Sequence, residues 1–297
     1  MMHAAGERPS EGALVYTFAG RRYDLSSRTH VMGILNVTPD SFSDGGKYLP
    51  AGKALERGLV MAEEGADFID VGGESTRPKG SSYGEGADPV GTQEELDRVI
   101  PVIEELCRRV NVPISIDTYK ADVASAALAA GASIVNDISG FGFDPAMAAA
   151  VGKAGATAVV MHIRGTPKTM QSNPVYDDLF GEIHASLGTA VRKGEAHGVR
   201  QMFVDPGIGF GKTAGDNYRL LSGLGRFADL GYPVLVGPSR KSLLALSTGL
   251  PVHDRLEASL AAAVSAVLSG AHAVRVHDVR EARRAVAVAD AVRRASR

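Results

Sequence analysis

Ile114-Ser-Ile-Asp-Thr-Tyr-Lys-Ala-Asp-Val-Ala-Ser-Ala-Ala-Leu-Ala-Ala-Gly-Ala-Ser-Ile-Val135 contains one whole strand-then-helix unit and the start of the next. Ile114-Ser-Ile116 is a short β-branched run, of the kind that forms a strand buried on both faces. Ala121–Ala130 contains no Gly or Pro and is rich in Ala, the strongest helix former. Gly131-Ala132 ends that helix, since glycine takes the left-handed conformation of a helix C-cap at little cost, and Ile134-Val135 opens the next strand. The same Gly-Ala phrase stands before a strand at Gly65-Ala66 and at Gly270-Ala271.

Outward from this unit the pattern repeats along the chain. Strand runs are Val31–Leu35, Phe68–Val71, Ile114–Ile116, Ile134-Val135, Ala158–Met161, Met202–Val204, Val234–Val236 and Ala273–Val276. Stretches with helical spacing lie between and after them: Ala51–Gly65, Gln93–Val110, Ala121–Ala130, Pro145–Gly155, Leu179–Gly198, Asn217–Leu230, Arg255–Gly270 and Glu281–Arg294. Alternation of strand and helix eight times predicts an α/β fold, the (β/α)8 TIM barrel. Leu14–Phe18, then Ala19-Gly20-Arg21, then Arg22–Leu25 predicts a β-hairpin capping the bottom of that barrel. The expected division is residues 1–28 as an N-terminal extension and residues 29–297 as the barrel domain.

Composition excludes several other classes. The chain has 297 residues, a net charge of −2 and one cysteine, Cys107. A charge so near zero leaves no basic footprint for nucleic acid. One cysteine forms no internal disulfide framework and no cysteine-based zinc cage. No apolar run is long enough for a membrane span, and the polar start, Met1–Gly12, does not read as a signal peptide. The expectation is a soluble protein of the cytoplasm.

In a barrel of this kind the chemistry gathers where the strands end. In order, the runs lead to Asn36, Glu74-Ser-Thr-Arg77, Asp117, Asn136-Asp137, His162, Asp205 and Ser239-Arg-Lys241; the last run carries Arg275 and leads to His277. A single strand-end Asp or Asn often only caps a turn, but here every strand delivers a polar group to one rim. Asp117, Asp205 and Asn136 suit a flat heterocycle rich in N–H donors. Lys241, Arg275 and His277 read as a cationic group for phosphate. The carbonyl oxygen of Asn36 suits a Mg2+ that takes its remaining ligands from water and substrate phosphate. Gly207-Ile-Gly-Phe-Gly-Lys-Thr213 is a decoy for a phosphate loop: Pro206 stands where that motif needs its first glycine.

Asn36-Val-Thr-Pro-Asp-Ser-Phe-Ser-Asp-Gly-Gly46 and Asp70-Val-Gly-Gly-Glu-Ser-Thr-Arg-Pro78 resemble the two signature loops of the dihydropteroate synthase family. The resemblance continues through Ser115–Thr118, Val135–Asp137, Met161-His162, Asp205–Lys212, Ser239–Lys241 and Arg275–Asp278, in the family's order over about residues 14–290. It implies condensation of p-aminobenzoate with 6-hydroxymethyl-7,8-dihydropterin diphosphate, giving 7,8-dihydropteroate and pyrophosphate. It also implies Mg2+ and a homodimer, in a family that is the target of sulfonamides. Carried onto matching positions, Asp117, Asn136, Asp205 and Lys241 would bind the pterin, and Arg275, Val276 and His277 the diphosphate. Thr76 would touch the same substrate, and Asn36 would hold the Mg2+. Phe42, Pro78, Phe210, Lys241 and Ser242 would line the p-aminobenzoate pocket, with Asp44 and Arg77 closing over it. Asp117, Lys241, Arg275 and His277 would carry catalysis, by an SN1-like path. Asp70 and Asp137 read as helix caps or as supports of the pterin pocket, with support the preferred reading. Two stretches depart from the family pattern: the insertion Lys79–Asp88, and Ile163-Arg164, where the family often has Met-Gln.

Overall fold

The computed structural model describes residues 14–38, 49–75 and 89–296. Eight parallel strands form one sheet: β3 (His30–Asn36), β4 (Phe68–Gly72), β5 (Ile114–Asp117), β6 (Ile134–Asp137), β7 (Thr157–Met161), β8 (Met202–Asp205), β9 (Leu235–Val236) and β10 (Ala273–Val276). Each from β3 to β7 pairs with the next, β9 pairs with β10, and β10 pairs with β3. A bridge between Val204 and Val234 joins β8 to the start of β9 and closes the barrel.

Helices α1 (Leu49–Glu63), α2 (Thr92–Arg109), α3 (Ala121–Ala129), α4 (Met147–Ala154), α5 (Leu179–Ala196), α6 (Ala214–Ser222), α7 (Ser242–Thr248), α8 (Leu256–Leu268) and α9 (Val279–Ala295) surround the strands. Gly65, Gly131 and Gly270, read as helix stops, have φ of +92°, +110° and +106°. Two details differ from the sequence pattern. The stretch expected as one helix to Leu230 breaks at Gly223, where a Cβ would meet the Phe180 ring at 2.6 Å, and continues as a 3-10 helix over Leu224–Leu230. The short α7 was not expected; it ends at Gly249 in the left-handed conformation.

Side chains alternate along each strand, which gives the barrel an outer and an inner core. Outward residues such as Val71, Ile116, Val135 and Val204 pack against the helices. Inward residues at the strand starts, among them Met32, Phe68, Ile134, Val159, Phe203 and Leu235, form a second cluster. The expected hairpin, β1 (Val15–Phe18) with β2 (Arg21–Asp24), seals that end. Its two-residue turn, Ala19-Gly20, has φ of +47° and +76°, the twist a tight hairpin needs. Tyr16, Phe18 and Leu25 enter the inner cluster, and the Tyr16 hydroxyl donates to the Met202 carbonyl at 2.8 Å. Among the described residues no helix is long and apolar enough to cross a membrane.

Candidate active site

The inner face changes character two residues further along the strands. Asp70 follows Phe68, Asn136 follows Ile134, Asp205 follows Phe203 and Arg275 follows Ala273, each on the same side of its strand. Arg275 joins several of them. Its Nε donates to Asp70 Oδ2 at 2.6 Å and its Nη2 to Asp117 Oδ2 at 2.6 Å. Asn136 Nδ2 donates to the same Asp70 oxygen at 2.9 Å, so the amide is oriented and its carbonyl oxygen is left as an acceptor. Asp70 is fully buried, and its Oδ1 has no partner among the described residues. Asp70 thus holds both Asn136 and Arg275 in place.

Burial pushes the Asp117 carboxyl up to about 7, against the pull of Arg275. Burial also raises Asp205, whose Oδ1 accepts the Gly207 N–H at 2.7 Å. Lys241 donates to the Ile208 carbonyl, and its Nζ lies 4.5 Å from the centre of the Phe210 ring. Burial lowers its ammonium to about 8, against the attraction of Asp205.

The Lys241, Arg275 and His277 side of the rim is not the three-cation cluster that the residue types suggest. His277 is held uncharged, pushed down to about 3 by burial and then by Arg240 and Arg275. Its Nδ1 pairs with the Ser239 hydroxyl at 3.0 Å. His277 therefore offers an N–H donor instead of a charge. The charge of Arg275 is matched by Asp70 and Asp117, although three of its five N–H groups are not used on them. Val276 turns its side chain into the outer core, which leaves only its backbone at the rim.

Arg240 stands between Ser239 and Lys241 with φ of +57°, a conformation that costs a non-glycine residue about 1–3 kcal/mol. Three contacts hold it there. Its N–H donates to Ser259 at 3.0 Å, its carbonyl accepts from Arg255 at 3.0 Å, and its guanidinium pairs with Asp278 at 2.5 Å. The turn sends Ser239 to His277 and Lys241 to the Phe210 loop. Ser242 begins α7 beside them.

Asn36 ends β3 with its side chain exposed. Gly72 separates it from Asp117: a Cβ there would lie 3.7 Å from Asp117 Oδ2 and 3.8 Å from Asn36 Oδ1. The bare backbone puts no side chain between the two oxygens, of which Asp117 Oδ2 also accepts from Arg275. Hard oxygen donors of this kind fit Mg2+. Among the described residues no group of three or more His, Cys, Asp or Glu could hold a metal unaided. The fit is therefore to an ion completed by water and substrate.

Phe42, Asp44, Thr76, Arg77 and Pro78 lie outside the described residues, as does the insertion Lys79–Asp88. The Asp137 carboxylate accepts from the Ser139 N–H and hydroxyl and the Phe141 N–H at 2.7–2.8 Å, and so shapes the turn after β6. Sequence reasoning also missed Lys212. It is 3% exposed, and burial brings its ammonium well below the usual lysine range. Its Nζ lies 3.0 Å from Nδ1 of His162, a ring that burial lowers to about 3. A lysine inside a glycine-rich strand end was the available signal.

Three comparisons agree with this geometry. Residues 32–277 match the family described as pterin binding enzyme. A dihydropteroate synthase from Synechocystis is 45% identical over 273 residues, covering 91% of this chain and 92% of its own. The Yersinia pestis dihydropteroate synthase, solved as a sulfonamide drug complex, superposes with a TM-score of 0.87 at 42% identity, over 95% of this chain and all of its own. The Xanthomonas albilineans enzyme, solved with 4-aminobenzoic acid, does so with a TM-score of 0.86 at 43% identity, over 95% and 98%.

Proposed function

This chain belongs to the pterin-binding enzyme family and catalyses the dihydropteroate synthase reaction, and we propose that its rim residues divide that reaction between a buried pterin pocket and a phosphate-binding mouth. The observation that carries the division is the Asn136–Asp70–Arg275–Asp117 network, with an amide acceptor at one end and unused guanidinium donors near the other.

In the pocket, Asp117, Asp205 and the Asn136 carbonyl accept the N–H groups of the pterin, and the Lys241 ammonium donates to it. At the mouth, the free N–H groups of Arg275 and the His277 imidazole N–H receive the diphosphate, beside the backbone of Val276. Asn36 would hold Mg2+, which when bound would supply charge neutralisation to the diphosphate. The bond between the pterin methylene carbon and the diphosphate oxygen breaks first, and its electron pair leaves with pyrophosphate. Asp117 and Asp205 stabilise the positive charge spread over the pterin. The neutral arylamine nitrogen then bonds to the methylene carbon and releases a proton. An arylamine is nucleophilic at pH 7 without a general base, which suits a rim whose histidines are pushed down to about 3 and so are weak bases.

Phe210, Lys241 and Ser242 form one side of the p-aminobenzoate pocket; from the family motif Phe42 and Pro78 are assigned to the other side, Asp44 and Arg77 to closing over it, and Thr76 to the pterin diphosphate. The cytoplasm and a homodimer complete the proposal. Exposed Leu246, Leu268, Val288 and Val292 on the last three helices support a buried contact between two copies.

The test is pyrophosphate release, measured with and without p-aminobenzoate and Mg2+. Release is expected to require both, and Asp117→Asn to slow it about 100-fold or more, the usual loss when a charge-stabilising group is removed. Turnover near that of the unaltered enzyme would contradict the role given to Asp117.

A further inference from the structure

The segment Gly207-Ile-Gly-Phe-Gly-Lys212 is not a phosphate loop, yet its construction is unusual. Its glycines at 207, 209 and 211 all have positive φ, at +73°, +84° and +65°. A chain that alternates hands in this way forms no helix or strand ladder, so its carbonyls need other partners. Four consecutive carbonyls each find a side chain. Ile208 is capped by Lys241, Gly209 by Gln171 at 3.4 Å, Phe210 by Lys212 at 2.8 Å and Gly211 by the Tyr176 hydroxyl at 2.8 Å.

Two of these donors come from the connection after β7, which braces the segment from behind. A Cβ at Gly207 would fall 1.9 Å from the His162 carbonyl, and one at Gly211 would fall 2.9 Å from Arg164 Cβ. Arg164 in turn lies over the Tyr176 ring, 3.9 Å from its centre. Lys212 ties the two connections together: it donates to the Phe210 carbonyl and reaches Nδ1 and the carbonyl oxygen of His162 at 3.0 and 3.4 Å. Burying an ammonium is expensive, and packing alone would be served by an apolar residue of the same length. What the lysine adds is three directed donors. Glycine-rich backbone has the most freedom to lose on ordering, so a segment like this one stays in place only if its groups are tied.

We infer that Lys212, assisted by Tyr176, is a positioning residue for the arylamine substrate: it fixes the backbone of Phe210 so that the ring stands beside Lys241 as a wall of the p-aminobenzoate pocket. Lys212 touches neither substrate and acts through Phe210. The inference rests on the reading of Phe210 as that wall. The pterin side keeps its own anchors, Asp117, Asn136 and Asp205, so loosening this segment affects the two substrates unequally.

The experiment is steady-state kinetics with each substrate varied in turn, on Lys212→Met, Tyr176→Phe and Phe210→Ala. Lys212→Met is expected to raise KM for p-aminobenzoate about tenfold, and Tyr176→Phe about threefold, with kcat and KM for the pterin diphosphate within about twofold. Tyr176→Phe removes one oxygen and is expected to melt with the unaltered enzyme; it carries the test if Lys212→Met does not fold. Hydrogen exchange at the Gly209–Gly211 amides should quicken in both. If Phe210→Ala raises KM for p-aminobenzoate while the other two leave it unchanged, or raise both KM values together, the positioning role is overturned. If Phe210→Ala itself leaves that KM unchanged, the reading of the wall fails and the inference falls with it.

Discussion

The two ends of the barrel are made from the same strands and have opposite chemistry. At the N-terminal end the inward residues are Met32, Phe68, Ile134, Val159, Phe203 and Leu235, and the hairpin adds Tyr16, Phe18 and Leu25. The Phe18 ring meets those of Phe68, Tyr23 and Phe203 at 5.0–6.3 Å between centres. Two residues on, the same inner faces carry Asp70, Asn136, Asp205 and Arg275. One end is therefore filled with apolar side chains and sealed, and the other holds buried charge that is satisfied only in part, as Asp70 Oδ1, unpartnered among the described residues, shows. Burying partly matched charge costs stability, and the apolar end offsets that cost.

Substituting Arg275 by Leu should have the largest effect, because it damages both properties at the polar end. Asp70, fully buried, and Asp117 would lose the guanidinium they share. A loss of about 3–5 kcal/mol in chemical unfolding is expected, together with loss of turnover. The pH dependence has a definite sign. Burial already raises Asp117 above the unfolded carboxylate value, and removing the cation raises it further. The folded variant then binds its proton at a higher pH than the unaltered enzyme does, so its deficit shrinks as pH falls towards about 7 and stays level below it. A deficit that grew on acidification would contradict the buried pairing.

Phe68→Ala should have an effect of similar or smaller size on stability, about 3–5 kcal/mol from lost burial and the cavity left behind. Its signature is different: both KM values should be unchanged in the protein that remains folded. A large rise in either KM would show that the two ends are not separate in function.

Much of this contrast was legible in the residues. The eight apolar runs became the eight strands because parallel strands covered on both faces admit few polar residues, and the polar residue after each run marked the end of its strand. The hairpin was legible from Ala19-Gly20. The break at Gly223 was not, since it depends on the approach of Phe180 from a distant helix. Nor was the neutral state of His277, which residue type leaves open and burial decides. Lys212 read as an accident in a phosphate-loop look-alike; its importance depends on His162 and Phe210 arriving on either side of it.

A crystal structure of this protein with the pterin diphosphate bound tests the central claim most directly. The account predicts the heterocycle edge against Asp117, Asn136 and Asp205, and the diphosphate on the free donors of Arg275 and on His277. A heterocycle seated elsewhere, or a diphosphate that contacts neither residue, would contradict it.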